Sequence, residues 1–471
     1  YSFLSYRSME RKAFKSVNDD ASVSDQKECK AHCSCFAACC DHSRSKTRDP
    51  FWDNYKGFTQ LLIITFIHVG ILFVFAAGVP QVLDSTVGSL FLGSSAFASA
   101  VCMPSYCFIT GMSSTADMDR KQRINIVRFM VVWAIQHSLA AAGVAQDQHG
   151  MLVKKWKSEH VGLNVTNAAL HAQGQPGLKP PGWLPFPFFQ VVGVDWYLWC
   201  VIIWRCFLPV VAQIRCSLSL SVVLAVGVMF TDAFNNEYCN TPFGFMPFFM
   251  LGFMLKDHKQ KMKDMSRSLF LRGAFLAILA IVVLMPLVSE AELLNFISRN
   301  LGCLYGGQSA AQMQIPVETF KINFTDPESM DKLYRLTTYC QTGSGVVHVF
   351  IFYLICVCAI LGLMTVIPTE EKFILTRTGV NSIYIYFGQV WAILGVQTLI
   401  FGAASESSST LMSPEVGVAA ALGASFLVWW LLSQPCFVCL CSPCIEPDVE
   451  KGCMRVVIPQ GWEEERSSSG S

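Results

Sequence analysis

About ten apolar runs punctuate the chain, each near the length an α-helix needs to cross a hydrocarbon layer roughly 30 Å thick. They cover approximately 57–78, 87–111, 126–145, 189–209, 216–232, 242–256, 269–289, 345–367, 379–402 and 415–434. Composition agrees: 52% of residues are hydrophobic and 15% charged, with a mean hydropathy of +0.42. These values exclude an ordinary soluble enzyme and predict an all-α polytopic membrane protein. Lys and Arg together number 35 against 34 Asp and Glu, so no global basic field calls for nucleic acid. The first residue is Tyr and no cleavable leader pattern opens the sequence, so the first span is expected to act as the targeting signal.

Charge between the runs sets the orientation. The connections "STADMDRKQR", "RCFLPVVAQIR", "KDHKQKMKDMSR" and "PTEEKFILTR" are basic, whereas "PQVLDSTVG", "DAFNNEYCN" and "ASESSST" carry no Lys or Arg. By the positive-inside rule the basic connections are cytoplasmic, and so are both termini. The sequons Asn164-Val-Thr166 and Asn323-Phe-Thr325 fall in the long connections 146–188 and 290–344. Both lie on the opposite side, as glycosylation requires, which implies a glycoprotein of a eukaryotic endomembrane or plasma membrane. Those two connections are polar and rich in Gly and Pro, and are expected to form a partial outer lid. Cys239, Cys303 and Cys340 would face the oxidising compartment, where one pair can form a disulfide of undetermined connectivity.

Three parts are expected: a cytoplasmic, disordered Cys-containing tail (1–47), a transmembrane domain (48–434) and a Cys-rich cytoplasmic tail (435–471). The clusters "CKAHCSCFAACC" and "CFVCLCSPC" flank the domain. The second contains two C-x-x-C pairs, Cys436/Cys439 and Cys441/Cys444, which zinc could occupy. Interleaved Phe, Val and Leu at a membrane edge suit S-acylation better, so no metal is expected.

One residue interrupts the first run. In "RDPFWDNYKGFTQLLIITFIHVG", residues 48–70, His68 stands well inside an apolar segment. An imidazole there is either hydrogen-bonded to a neighbouring helix or has a task. His137 and His348 are the other histidines well inside a run.

The stretch "DNYKGFTQLLIITFIH" resembles the first helix of the integral-membrane acyltransferase type 3 family, in which Asp-x-x-Lys or Asp-x-x-Arg precedes a His. "MPSYCFITGM", "DWYLWCVIIWR", "MPFFMLGFMLK" and "GVNSIYIYFGQVW" resemble further helices of that family, in the same order, over residues 48 to 402. The resemblance implies transfer of an acyl group, commonly acetyl from acetyl-CoA, to a hydroxyl of a glycan or another polar acceptor. His68 would be the general base, because burial keeps an imidazole neutral and able to take a proton. Asp53 and Lys56 would complete the catalytic set.

Arg120, Arg123 and Arg128 in "DRKQRINIVR" would bind the CoA phosphates, as Arg suits bidentate phosphate contacts. The same charges also serve as topological signals. Asp195, Trp196, Trp199, Tyr386 and Gln389 are the candidates for acceptor binding, although aromatic residues at helix ends also form interfacial belts. Pro104, Phe108 and Gly111 are expected to pack, with Gly111 beside the first helix.

Two departures stand out. Lys56 and His68 are twelve residues apart where the family has eleven, which turns them about 120° apart on an ideal helix. A π-bulge near Gly57 or Thr59-Gln60 would restore the facing. Gln389 occupies a place where the family often has His. Two other classes remain open: a transporter or channel with His68 in a polar pathway, and an acyltransferase-like protein without turnover. A transporter predicts internal repeats, and the two halves of the sequence have no convincing self-similarity.

Overall fold

The computed structural model describes residues 49–69, 85–118, 122–138, 196–231, 237–284, 292–305, 339–389, 391–392, 395 and 413–445. Among them all regular structure is helical, with no strand. The described parts of the ten apolar runs are mainly helical, the run 379–402 being divided between two helices at Asn381. Among the described residues three helices are long and apolar enough to cross a membrane, α2 (Thr86–Met112), α10 (Gly343–Val366) and α13 (Pro414–Leu432). A fourth span is reached if the pair Asn240–Ser266 and Leu269–Leu284, bent by 84°, counts as one.

The helices start where the chain supplies a cap. Asp49 accepts from Phe51 N at 3.1 Å and Pro50 takes the first position of α1 (Pro50–Leu62). Ser85, Thr342 and Ser413 cap α2, α10 and α13 in the same way. Between these lie α3 (residues 122–138), α4 (Trp196–Val211), α5 (Ser217–Met229), α6 (Glu237–Leu255), α7 (Lys259–Ser266), α8 (Leu269–Leu284) and α9 (Glu292–Tyr305). After α10 come α11 (Phe373–Val380) and α12 (residues 382–389), and α14 (Pro435–Ile445) follows α13.

Two glycine-mediated crossings hold the centre together. A Cβ on Gly111 of α2 would collide with the Phe249 carbonyl of α6, and one on Gly252 of α6 would collide with the Phe108 carbonyl of α2. Gly111 therefore admits α6, not the first helix as the sequence suggested. The first helix has its own crossing, because Gly57 abuts Leu375 and Thr378 of α11 while Gly379 abuts the Asp53 carbonyl. Small residues let backbones approach to full dispersion contact, which matters where apolar burial drives no association between helices.

Two segments depart from expectation. The 290–344 connection is not loop throughout: α9 packs on α6, where Asn240 Nδ2 donates to the Cys303 and Leu304 carbonyls at 3.3 and 3.1 Å. Cys303 is bonded to Cys340, closing the connection between α9 and α10. Residues 435–445 are likewise not a free tail, since Phe437 lies against Gly388 and Ile445 is buried beside α12. Cys436 and Cys439 are exposed on this helix. Among the described residues no group of three His, Cys, Asp or Glu side chains is placed to hold a metal. The sequons, residues 1–47, Cys239's side chain, Asp195 and Arg120 lie outside what is described.

Candidate functional site

The first helix changes its winding before it reaches His68. After Leu62 the chain continues as a π-helix, Ile63–Val69. A π turn holds more residues than an α turn, so the facing of His68 relative to Lys56 differs from that on an uninterrupted α-helix. The bulge anticipated from the spacing is present, displaced from Gly57–Gln60 to the segment that carries the histidine itself. Thr59 Oγ1 donates to the Tyr55 carbonyl at 2.8 Å just before it, a back-bond that loosens the helical ladder.

The neighbouring helix is located by Asn54. Its Nδ2 donates to the Pro368 and Glu370 carbonyls at 2.9 and 2.6 Å, and its Oδ1 accepts from Thr376 Oγ1 at 2.6 Å. With the Gly57/Gly379 crossing this fixes α11 along α1, so α12 carries Gln389 alongside Gln60 and His68. Gln60 Nε2 donates to Gln389 Oε1 at 2.7 Å, and Gln60 Oε1 accepts from the Tyr106 hydroxyl at 2.5 Å. Gln60 and Gln389 are fully buried. The Gln389 side chain also lies against the His68 imidazole, yet His68 Nδ1 and Gln389 Nε2 each lack a partner with hydrogen-bonding geometry. Both atoms are buried, and buried polar atoms left unsatisfied are costly.

Tyrosines extend the cluster. Tyr106 meets Tyr197 edge-on with ring centroids 5.8 Å apart, and Tyr197 meets Tyr386 at 5.5 Å. The Tyr197 hydroxyl is paired with Thr110 Oγ1. Tyr55 and Ser105 hydrogen-bond at 2.8 Å, tying α1 to α2. Polar side chains of four of the five motif segments, on α1, α2, α4 and α12, thus meet at one place. The fifth segment, on α6, supplies the scaffold through Gly252.

The other histidines differ. His137 stacks on Trp133 at 5.2 Å between centroids, and His348 Nδ1 is 2.6 Å from the Tyr339 hydroxyl at the head of α10. Both have structural partners.

Lys56 Nζ is 4.0 Å from Asp53 Oδ1. The pair sits near the start of α1, so Asp53 and Lys56 are brought to each other, and His68 is brought to Gln389. Trp196 is buried against Phe245 (5.3 Å) and Tyr305 (4.8 Å), which makes it a core residue instead of an open stacking platform. Trp199 meets Trp133 at 5.4 Å. Arg123 is exposed, while Arg128 is half-buried with its Nε unpartnered.

The sequence reading missed Gln60 and Tyr106 as members of the site. Gln60 is visible as a second polar side chain in the first run, eight residues before His68, and Tyr106 lies inside "MPSYCFITGM". Neither pattern names a partner.

Comparison of the chain with protein-family models, with curated proteins and with solved structures finds no match.

Proposed function

We propose that this protein is a multi-pass membrane O-acyltransferase that moves an acyl group, acetyl in the simplest case, from acyl-CoA to a hydroxyl of a carbohydrate or another polar acceptor. The observation that carries the reading is the meeting of His68, Gln60, Tyr106, Tyr386 and Gln389 inside an otherwise apolar core. A hydrogen-bonded cluster in lipid is costly to build and implies a task.

In the proposed reaction the acceptor oxygen attacks the thioester carbonyl carbon while the imidazole of His68 takes the hydroxyl proton. The carbon–sulfur bond breaks as the tetrahedral intermediate collapses. The departing thiolate takes the proton back from the imidazolium and leaves as free CoA. Gln389 Nε2, a buried donor without a partner, is suited to stabilise charge on the carbonyl oxygen. Asp53 and Lys56 hold the inner end of the helix in this scheme.

The topology that goes with the reading has about ten spans, both termini cytoplasmic and the 48–434 domain in an endomembrane or plasma membrane. Support comes from the charge asymmetry of the connections and from the Cys303–Cys340 bond, on the side where thiols oxidise.

The test is acyl transfer from labelled acetyl-CoA by purified full-length protein, with hydroxyl acceptors and with water. His68→Ala is expected to lower the rate by about 10²–10⁴-fold while the protein still elutes as a folded species. Full activity in that variant would end the proposal.

A further inference from the structure

Helix α14 takes no part in this chemistry, yet it carries Cys436, Cys439, Cys441 and Cys444 within eleven residues. It follows α13, which is long and apolar enough to cross a membrane, after only Ser433 and Gln434. From Val416 to Ile445 the sequence contains no Asp, Glu, Lys or Arg. The elbow between the two helices is tied down. Arg377 Nε and Asn381 Nδ2 donate to the Ser433 carbonyl at 3.0 and 3.4 Å, and Arg377 Nη2 donates to Gln434 Oε1 at 3.1 Å. The course of α14 is thereby fixed against α11 and α12.

At about 100° per residue the helix has two faces. Phe437, Cys441 and Ile445 share the inner one: Phe437 meets Gly388 of α12, and Ile445 is buried in the core that holds Tyr384, Tyr386 and Phe387. Cys436, Cys439, Leu440 and Pro443 form the outer stripe, and all four are exposed. A helix apolar all round needs an apolar surface on both sides. The thiols say what supplies the second. Cys436 and Cys439 stand about 60° apart, so two chains attached to them leave the helix side by side. Zinc does not fit, because Cys441 lies about 140° from Cys436 on the same helix, and among the described residues no three ligands converge. Burial pushes the Cys441 thiol up, which leaves less of the thiolate that attacks an acyl donor.

We propose that Cys436 and Cys439 form a paired S-acylation site for long-chain fatty acyl groups, whose chains cover the outer stripe and hold the inner face of α14 against α12. In the step, the cysteine sulfur attacks the carbonyl carbon of a long-chain acyl-CoA and a new carbon–sulfur bond forms. The bond to the CoA sulfur breaks, and the proton lost by the cysteine ends on the departing CoA thiol. One chain anchors a segment only marginally, whereas two anchor it stably, which gives a pair of thiols its purpose. Gly388 immediately precedes Gln389, so the contact held by the chains borders the polar cluster. The modification does not rest on the acyltransferase reading or on His68.

Full-length protein is expressed in eukaryotic cells, its free thiols are blocked, and thioesters are cleaved with neutral hydroxylamine. The released thiols take a polyethylene-glycol maleimide tag that is counted as a ladder on a gel. Cys436→Ser and Cys439→Ser are each expected to remove one tag, and the double variant both. Cys441→Ser with Cys444→Ser should leave the wild-type ladder. A ladder unchanged in the Cys436/Cys439 double variant overturns the proposal, and so does loss of tags in the Cys441/Cys444 variant. If a variant does not fold, judged by elution, mass spectrometry of the wild-type peptide spanning residues 435–445 reads the site directly. Acyl mass on Cys436 and Cys439 supports the proposal, and unmodified thiols there overturn it.

In a second arm, amide hydrogen exchange across residues 435–445 should accelerate by about tenfold or more in the folded Cys436→Ser/Cys439→Ser variant. Unchanged exchange overturns the hold on α12. A dimer of unacylated wild type that the same variant abolishes assigns the outer stripe to a second copy of the chain and overturns the proposal. The two readings fail separately. Thioesters on Cys436 and Cys439 without acetyl transfer remove the transferase and leave the site, and transfer by a protein without these thioesters removes the site and leaves the transferase.

Discussion

Gln60 shows how much one buried amide can organise. It spends its Nε2 on Gln389 and its Oε1 on Tyr106, so three helices share one side chain. Removing the tyrosine hydroxyl leaves a buried acceptor unsatisfied. Tyr106→Phe is therefore expected to cost about 0.6–1.7 kcal/mol, the range found for hydrogen bonds between membrane helices, measured by reversible unfolding in mixed micelles. Pairing it with Gln60→Leu gives the coupling directly, and the double variant should lose less than the sum of the singles, because the Gln60 acceptor that Tyr106→Phe strands is then absent, while Gln389 Oε1 loses its donor equally in the Gln60→Leu single and in the double. His68 was legible from one sequence because it breaks an apolar run. That Gln389 is its neighbour was not legible, since the contact joins residues more than 300 positions apart and no local pattern encodes such a pairing.

At the scale of elements the informative features are a winding change and a pair of crossings. Eleven residues of α-helix return to within about 20° of the starting face, whereas twelve overshoot by about 120°. The π-helix Ile63–Val69 changes that facing. Deleting Leu62 should give an uninterrupted α-helix that still turns the imidazole toward Gln389, with acyl transfer kept within about tenfold. Inserting one Ala after Leu62 should swing it away and cost about 10²-fold or more. The family resemblance suggested a bulge near Gly57 or Thr59-Gln60, whereas the π winding lies at Ile63–Val69.

Glycine tells a parallel story. Gly111→Leu would force the Phe249 carbonyl away and is expected to destabilise by about 1–3 kcal/mol or to prevent folding. Gly273→Leu in α8, where a Cβ meets nothing within 4 Å, should leave the melting temperature unchanged. Sequence alone identified Gly111 as a packing residue and gave the wrong partner, because a small residue records that something comes close and not what. α9 was missed for another reason. Its apolar positions in "ELLNFISRNLGCLY" have helical spacing, but they sit in a connection otherwise rich in polar residues.

For the molecule as a whole, the disulfide is the one covalent link between distant parts of the described chain. Cys303 and Cys340 are 37 residues apart in sequence, and closing a loop of that size stabilises by about 3–4 kcal/mol in the chain-entropy account. Cys303→Ser should lower the melting temperature in detergent, and a reductant should lower it in wild type without further effect on the variant. The same bond bears on orientation. With both termini cytoplasmic, a membrane-impermeant protease added to intact cells should spare an epitope tag at either terminus and cut it once the plasma membrane is permeabilised.

The sequence by itself determined that the chain is helical and apolar enough for a membrane, where most of its long apolar helices fall, and that one histidine stands where hydrocarbon is expected. These properties are carried by neighbours along the chain: run length, caps and charge between runs. Only the tertiary structure decided that Gln60 bonds both Tyr106 and Gln389, that Gln389 lies beside that histidine, that Gly111 packs against α6, and that Cys303 pairs with Cys340. Each of these is a choice among distant partners of similar chemistry. Such choices are made by close backbone approach and by satisfying every buried polar atom together, conditions that exist only once the helices have packed.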